Sequence, residues 1–307
     1  MTATLDAPTQ VAWRFFDVEV AAVHRLSTSF VRLTLVGPDL DDFADNGLDQ
    51  RFKLVLPDAH GSFDALPRDP DWYASWRRLP EDRRNPVRTY TVRAVRPVRR
   101  EVDVDLVLHG DGGPASAFAA RAGVGDRLVV LGPNRRYGDG HGGLEFRPPG
   151  GHVGPTLLVG DATAVPAVLS VLDALPADAF GEVVLEVPDP ADIAVGAGVA
   201  VPAGVGVTWL VRQAHAPSGL PGAVDEALGR MAAAVGPRAG GPALLEPEPD
   251  ELLWDVPEDA RADGLYAWIA GESALVTGIR RHLVRDLGVD RRSVAFMGYW
   301  REGRPSG

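Results

Sequence analysis

The sequence predicts an N-terminal antiparallel β-barrel over residues 13–150, followed by a three-layer α/β nucleotide-binding domain over residues 151–307. Three observations lead there. The first half holds short runs rich in Val, Phe and Leu, separated by turn residues. The second half alternates apolar strand-like runs with segments of helical spacing. Between them lies GPNRRYGDGHGGLEFRPPGGHVGP, a Gly/Pro-rich stretch suited to an inter-domain connection.

In chain order, the strands of the first half are WRFFDVEVAAV, FVRLTLVGP, RFKLVLP, VRTYTVRAV, EVDVDLVLHG and DRLVVLGP. In the fifth, Val102, Val104 and Leu106 alternate with Glu101, Asp103 and Asp105, which reads as a half-buried antiparallel strand. Strands of this kind and number suit a small barrel. Residues 58–86, between the third and fourth runs, read as too polar and proline-rich to be core. In the second half TLLVGD, EVVLEV, VTWLV, YAWIAG and VAFMGYW are strands. ATAVPAVLSVLDALP, GAVDEALGRMAAAV and ESALVTGIRRHLVRDLG are helices, the last with Leu275, Ile279, Leu283 and Leu287 on one face. Such alternation implies a parallel sheet with ligands at the strand C-terminal ends. Residues 236–262 are rich in Pro and Glu and read as an excursion.

Composition narrows the function. A formal net charge of −11 argues against nucleic acid as a partner, because that binding is mostly phosphate neutralisation. The absence of cysteine removes disulfides, thiolate catalysis and cysteine-ligated iron–sulfur clusters. No run approaches the roughly 20 apolar residues of a spanning helix, and no signal peptide is visible, so a cytoplasmic protein without stable membrane insertion is expected. The seven histidines form no cluster of metal-ligand spacing, so no metal site is expected. Lys53 is the only lysine; a bias toward arginine codons explains most of this, but it leaves Lys53 distinct among the cations.

Three motifs carry chemistry. In RTYTVR, residues 88–93, Arg88 and Tyr90 point to one strand face and Thr91 to the other. Together they supply what a flavin dinucleotide requires: a cation for pyrophosphate, an aromatic face and a hydrogen-bonding group at the ring. An ordinary exposed strand would read the same way. Residues 110–115 of LHGDGGPAS fit the G-x-G-x-x-A fingerprint in form, but the preceding strand alternates like an antiparallel one and Pro114 is awkward in that turn. A glycine turn opening the helix PASAFAARA fits better, with free amides for a phosphate or simply as a helix start. In LLVGDATAVPAV, Gly160 allows a tight turn and Thr163 stands where a hydroxyl and helix amides can hold a nucleotide, although any βα unit with a glycine turn looks similar.

RTYTVR, VDLVLHGDGGPAS, LLGPNRRYG, LLVGDATAVPAV, YAWIAGE and GYWREG occur here in an order that resembles siderophore-interacting proteins, the ferric-siderophore reductases of the ferredoxin-reductase superfamily. The resemblance spans roughly residues 13 to 304. It implies an FAD-binding barrel and an NAD(P)H-binding second domain. Arg88, Tyr90, Thr91 and Arg93 match the family's flavin motif, and His109, Gly113, Ala115 and Ser116 its second flavin segment. Gly160, Asp161, Thr163, Ala164 and Pro166 match the nicotinamide-side turn, where the family usually carries Glu at the position of Ala162. Lys53 matches one of the basic residues that hold the anionic ferric complex; Arg135 and Arg301 are further candidates.

The resemblance implies FAD-dependent reduction of a ferric siderophore with electrons from NADPH or NADH, releasing iron as Fe(II). No side chain is assigned as nucleophile or general acid. Arg212 favours NADPH, Glu186 and Asp189 favour NADH, and reduced ferredoxin stays open as a donor. The rivals are a general NAD(P)H:flavin or ferredoxin-type oxidoreductase and a siderophore-binding protein without enzymatic activity.

Overall fold

The computed structural model describes residues 11–108, 113–213, 216–235, 253–257 and 262–303. β1 (Trp13–Arg25), β2 (Phe30–Val36), β3 (Arg51–Val55), β4 (Val87–Arg96), β5 (Glu101–Val107) and β6 (Arg127–Pro133) close into an antiparallel barrel in the order β1-β2-β5-β4-β3-β6. Closure leaves no strand edge unpaired. Phe16, Leu33, Phe52, Leu54 and Leu106 fill the interior. α1 (Trp72–Arg77) follows β3, and α2 (Pro114–Arg121), after β5, adds Ala115, Phe118 and Ala119 to the same core.

Two features depart from the sequence reading. Asp103 and Asp105, expected on a solvated face of β5, are only 6% and 2% exposed. Arg96 grips Asp103 through hydrogen bonds of 2.8 and 2.6 Å, and Arg32 grips Asp105 at 2.6 and 2.8 Å. Buried carboxylates persist only with partners of this kind. The segment before β4 is not devoid of core either: Trp76 of α1 buries against Val55, Leu66, Val87 and Val129.

The second domain is a six-stranded sheet in the order β10-β12-β11-β7-β8-β9. Its strands are β7 (Thr156–Gly160), β8 (Phe180–Val187), β9 (Gly204–Val211), β10 (Trp254–Asp255), β11 (Tyr266–Glu272) and β12 (Val294–Trp300). All neighbours are parallel except β10, which pairs antiparallel with β12 at one edge. α3 (Val165–Ala174) packs on the face toward the barrel, in one cluster with Phe30 and Val107. α4 (Leu220–Arg230), the short α5 (Ala232–Val235) and α6 (Ser273–Arg281) follow in the chain, and α4 and α6 pack on the opposite face. Ile279 and Leu283 are buried there, with Leu275 and Leu287 flanking them. Most of the excursion at 236–262 lies outside the described residues. Among the described residues no helix is long and apolar enough to cross a membrane.

β7 and β11 are neighbours, and strand order runs outward from them in opposite directions. Such a switch point opens a crevice at the carboxyl ends of the strands. The barrel stands against this end, tied by buried carboxylates. Asp192, fully buried, accepts from Ser27 Oγ at 2.6 Å and from the Ser29 amide at 2.8 Å. Asp49 accepts from the Glu145 and Phe146 amides and, at 3.1 Å, from Trp268 Nε1 of β11.

Candidate functional site

A cleft of about 1030 Å³ lies between the barrel and the strand ends of the sheet. That volume is at the upper end of the roughly 300–1,000 Å³ typical of small-molecule sites. β3 and β4 form the barrel wall, contributing Arg51, Lys53, Arg88, Thr89, Tyr90 and Thr91. The start of α2 adds Gly113, Ala115 and Ser116. From the sheet come Asp161 and Thr163 after β7, Glu186 on β8, Arg212 after β9, and Tyr299, Trp300 and Arg301 at the end of β12.

Arg88 is half-buried, and its guanidinium donates to the Val87 carbonyl at 2.8 Å. Burial lowers its pKa from 12.5, against the pull of Tyr90. A desolvated cation of that kind is suited to an anionic ligand. α2 begins beside the cleft: Gly113, at φ 155°, is its N-cap and offers no side chain to the first-turn amides, while Pro114 needs no amide partner. A helix start beside a cleft suits a phosphate. Tyr90 packs against the barrel core, and burial pushes its phenol up to about 12, so it stays neutral beside any bound ring. A cation, helix amides and a neutral aromatic face are the donor set of a flavin dinucleotide, so these residues fit FAD.

On the sheet side Asp161 does not wait for a ligand. Its carboxylate accepts from the Thr163 amide and hydroxyl at 2.9 and 2.6 Å, from the Glu272 amide at 2.8 Å and from Trp300 Nε1 at 2.8 Å. It thereby ties the ends of β7, β11 and β12 together at the cleft. Gly160 is needed for a reason the sequence does not show: a Cβ there would stand 2.5 Å from that of Ala164. Glu186, 3% exposed, accepts from the Gly219 amide at 2.7 Å and faces Arg212 across 3.8 Å. Tyr299 lines the cleft with a buried hydroxyl that has no hydrogen-bond partner among the described residues.

Of the residues singled out in the sequence, Lys53, Arg88, Tyr90, Thr91, Gly113, Ala115, Ser116, Asp161, Thr163, Pro166 and Arg301 line this one cleft. Gly160 and Ala164 lie behind it as packing, Ala164 being fully buried. Arg93 does not line it; its guanidinium reaches Asp173 of α3 at 2.9 Å and bridges the two domains. Arg135 is exposed beyond the end of β6 and stands apart from the cleft. Asp189 caps the turn at 190–196 by accepting from the Ala191 amide at 2.8 Å. His109 lies outside the described residues. The formal fingerprint at 110–115 follows β5, a strand of the antiparallel barrel, which is not the βαβ setting such a motif needs. Among the described residues no cluster could hold a metal ion.

Sequence reasoning missed the aromatic lining. Trp72, Tyr73 and Trp76 of α1 and Trp254 of β10 face the cleft, and the Arg51 guanidinium lies 4.4 Å from the Trp254 ring centroid. The spacing of aromatics in DWYASW was the available signal.

An antiparallel barrel leading into a mostly parallel α/β sheet is the fold class shared with ferredoxin reductases. The ferredoxin reductase of carbazole 1,9a-dioxygenase shares this fold, with a TM-score of 0.58 at 17% identity over 94% of this chain and 70% of its own. Within that class, residues 19–137 match the siderophore-interacting FAD-binding domain and residues 154–303 match the siderophore-interacting protein model. The siderophore-interacting protein SipS from Aeromonas hydrophila is 30% identical, with a TM-score of 0.63 over 95% of this chain and 93% of its own. The ferric vibriobactin reductase of Vibrio cholerae is 28% identical over 281 residues, 91% of this chain and 86% of its own length. The chain belongs to the siderophore-interacting protein family.

Proposed function

We propose that this protein is an FAD-dependent ferric-siderophore reductase that draws electrons from NAD(P)H and releases iron as Fe(II). The observation that carries the reading is the continuity of the cleft: the flavin-type set, the strand ends of the sheet and Lys53 with Arg301 border one space. Arg88 and the start of α2 would hold the FAD pyrophosphate, and Tyr90 and Thr91 of β4 would flank its flavin. FAD held there would supply the exchange between two-electron hydride chemistry and one-electron transfer. Tyr299 and Trp300 close the opposite side against water. Lys53 and Arg301 hold the anionic ferric chelate, recruiting it by local charge despite the net −11. Reduction lowers the charge on iron and weakens its bonds to hard oxygen ligands, so electron delivery is also release.

The test is anaerobic. NADPH should bleach the flavin spectrum of the purified protein, and a ferric siderophore with a ferrous chelator should restore it as Fe(II) appears. A flavin that bleaches and then ignores the siderophore would favour the general oxidoreductase, and a protein that takes up no FAD would leave the binding reading.

Lys53→Ala should lower kcat/KM for an anionic ferric siderophore about tenfold while FAD binding is retained, about 1.4 kcal/mol of lost attraction. Desolvation, and then the like charge of Arg51, lower the Lys53 ammonium from its ordinary 10.5. The cation is therefore lost before pH reaches that value, and chelate affinity should fall across the alkaline range below it. The same shift means the charged lysine weakens the fold, a cost relieved as pH rises through the depressed value. A flat alkaline profile would count against Lys53.

For the donor, we read Arg212 as the partner of a ribose 2′-phosphate, its guanidinium held near the buried Glu186. Arg212→Ala should raise KM for NADPH about tenfold and leave KM for NADH unchanged, since a guanidinium binds phosphate through charge-assisted bonds. Equal changes for both nicotinamides would remove Arg212 from that role.

A further inference from the structure

Strand alternation gives the barrel wall of the cleft two faces. β3 and β4 pair Arg51 with Thr91, Lys53 with Thr89 and Val55 with Val87, so these side chains share one face. Phe52, Leu54, Arg88 and Tyr90 belong to the other, where Phe52 and Leu54 enter the barrel core. The flavin-type residues Arg88 and Tyr90 thus stand on a different face from Lys53.

The Lys53 face runs directly into α1. Val55 and Val87 pack against Trp76, which is anchored by its indole N–H donating to the Asn85 carbonyl at 2.9 Å. Tyr73 stacks on Trp76 with ring centroids 5.6 Å apart and planes 19° apart, and Trp72 meets Tyr73 edge-on at 5.5 Å. Trp76 is 8% exposed, whereas Tyr73 is 52% exposed, so a rigid aromatic base carries a ring open to a ligand. Beside it Lys53 Nζ donates to Thr89 Oγ1 at 2.7 Å, and the one charge that shifts it is that of Arg51. Flat π surfaces next to an uncompensated cation suit an anionic aryl oxygen: the ring stacks while the oxygen meets the ammonium.

We propose that Tyr73, backed by Trp72 and Trp76, determines substrate class at this site and selects ferric chelates whose oxygen donors sit on aromatic rings over hydroxamate chelates. This rests on the ferric-siderophore reading of the cleft. A catecholate-type complex brings flat rings and a net negative charge, one for the tyrosine and one for Lys53. A hydroxamate complex brings aliphatic arms and little net charge, and it leaves both unused. An aromatic pair contributes about 0.5–1.5 kcal/mol beyond burial, which corresponds to a preference of roughly two- to tenfold.

The test is equilibrium dialysis of the oxidised, FAD-loaded protein against ferric dihydroxybenzoate or ferric acetohydroxamate, with iron measured on both sides. The parent should bind the dihydroxybenzoate complex more tightly, Tyr73→Ala should cut that preference about fivefold by weakening this complex alone, and Tyr73→Phe should restore it. A parent that binds both complexes equally, or a Tyr73→Ala variant that weakens both alike, would overturn the inference and leave the siderophore reading standing. A parent that binds neither would overturn both. If Tyr73→Ala instead releases FAD on gel filtration, the α1 wall seats the adenine of the cofactor, and the substrate role is wrong.

Discussion

Arg88→Ala should leave a folded protein that no longer retains FAD through purification. Each charge-assisted hydrogen bond to a buried phosphate contributes about 1.5–3 kcal/mol, so losing a bidentate pair raises Kd by roughly a hundredfold or more. The structure gives this residue little else to do. Its side-chain hydrogen bond goes to the adjacent Val87 carbonyl, and burial depresses its pKa against the pull of Tyr90. Removing an uncompensated, half-buried cation relieves a desolvation cost, so the apo form of the variant should be no less stable than the apo parent. That pairing separates a cofactor role from a structural one. Arg88→Lys should fall between, because an ammonium offers a point charge in place of a planar fork. Titration of FAD into apo protein, followed by absorbance and by chemical denaturation, measures both effects. Unchanged FAD affinity would take Arg88 out of the flavin site, whereas a large loss of apo stability would make it a structural residue.

How much was legible in the sequence follows from the range of the interactions involved. The strands of the barrel and the βα units were readable because alternation, turn residues and helical spacing are local. RTYTVR was readable because one strand carries all its chemistry. What escaped depends on register and on distant partners. Asp103 and Asp105 alternate like solvent-facing residues, and only the neighbouring strands reveal Arg96, Thr34 and Arg32 waiting for them. Asp161 reads as a ligand contact in its motif, yet its carboxylate is engaged by an amide and an indole from residues more than a hundred positions away. Arg135 and Arg93 look equivalent to Arg88 as charges, but one projects outward past the barrel and the other reaches across to α3. The cleft-facing aromatics of α1 sit in a segment whose prolines and charges mask them, and Trp254 gains its role only where β10 joins β12.

Asp49→Ala should destabilise the protein by about 2–4 kcal/mol, the largest single-residue loss we expect away from the core hydrophobics. Asp49 is fully buried and joins three parts of the chain: the loop before β3, the connector at Glu145 and Phe146, and Trp268 in the middle of β11. Truncation leaves three N–H donors without an acceptor at the junction that holds the cleft in shape. The pH dependence gives a sharper check than the size of the loss. Desolvation by burial, the largest influence, pushes the Asp49 carboxyl above 3.8 in spite of hydrogen bonds from Phe146, Glu145 and Trp268. A carboxyl with a raised folded pKa binds its proton more tightly in the native state, so its contribution to stability declines as pH rises from 3.8 through the folded value. The parent is thus favoured by this group at acid pH, while Asp49→Ala and Asp49→Asn have no such titration. Asp49→Asn keeps one acceptor oxygen and should lose less than Asp49→Ala, and both losses should be greater near about pH 4 than near about pH 7 in urea denaturation. A loss that grows toward neutral pH would mean that the amides and the indole outweigh burial, and that Asp49 strengthens the domain junction as an anion.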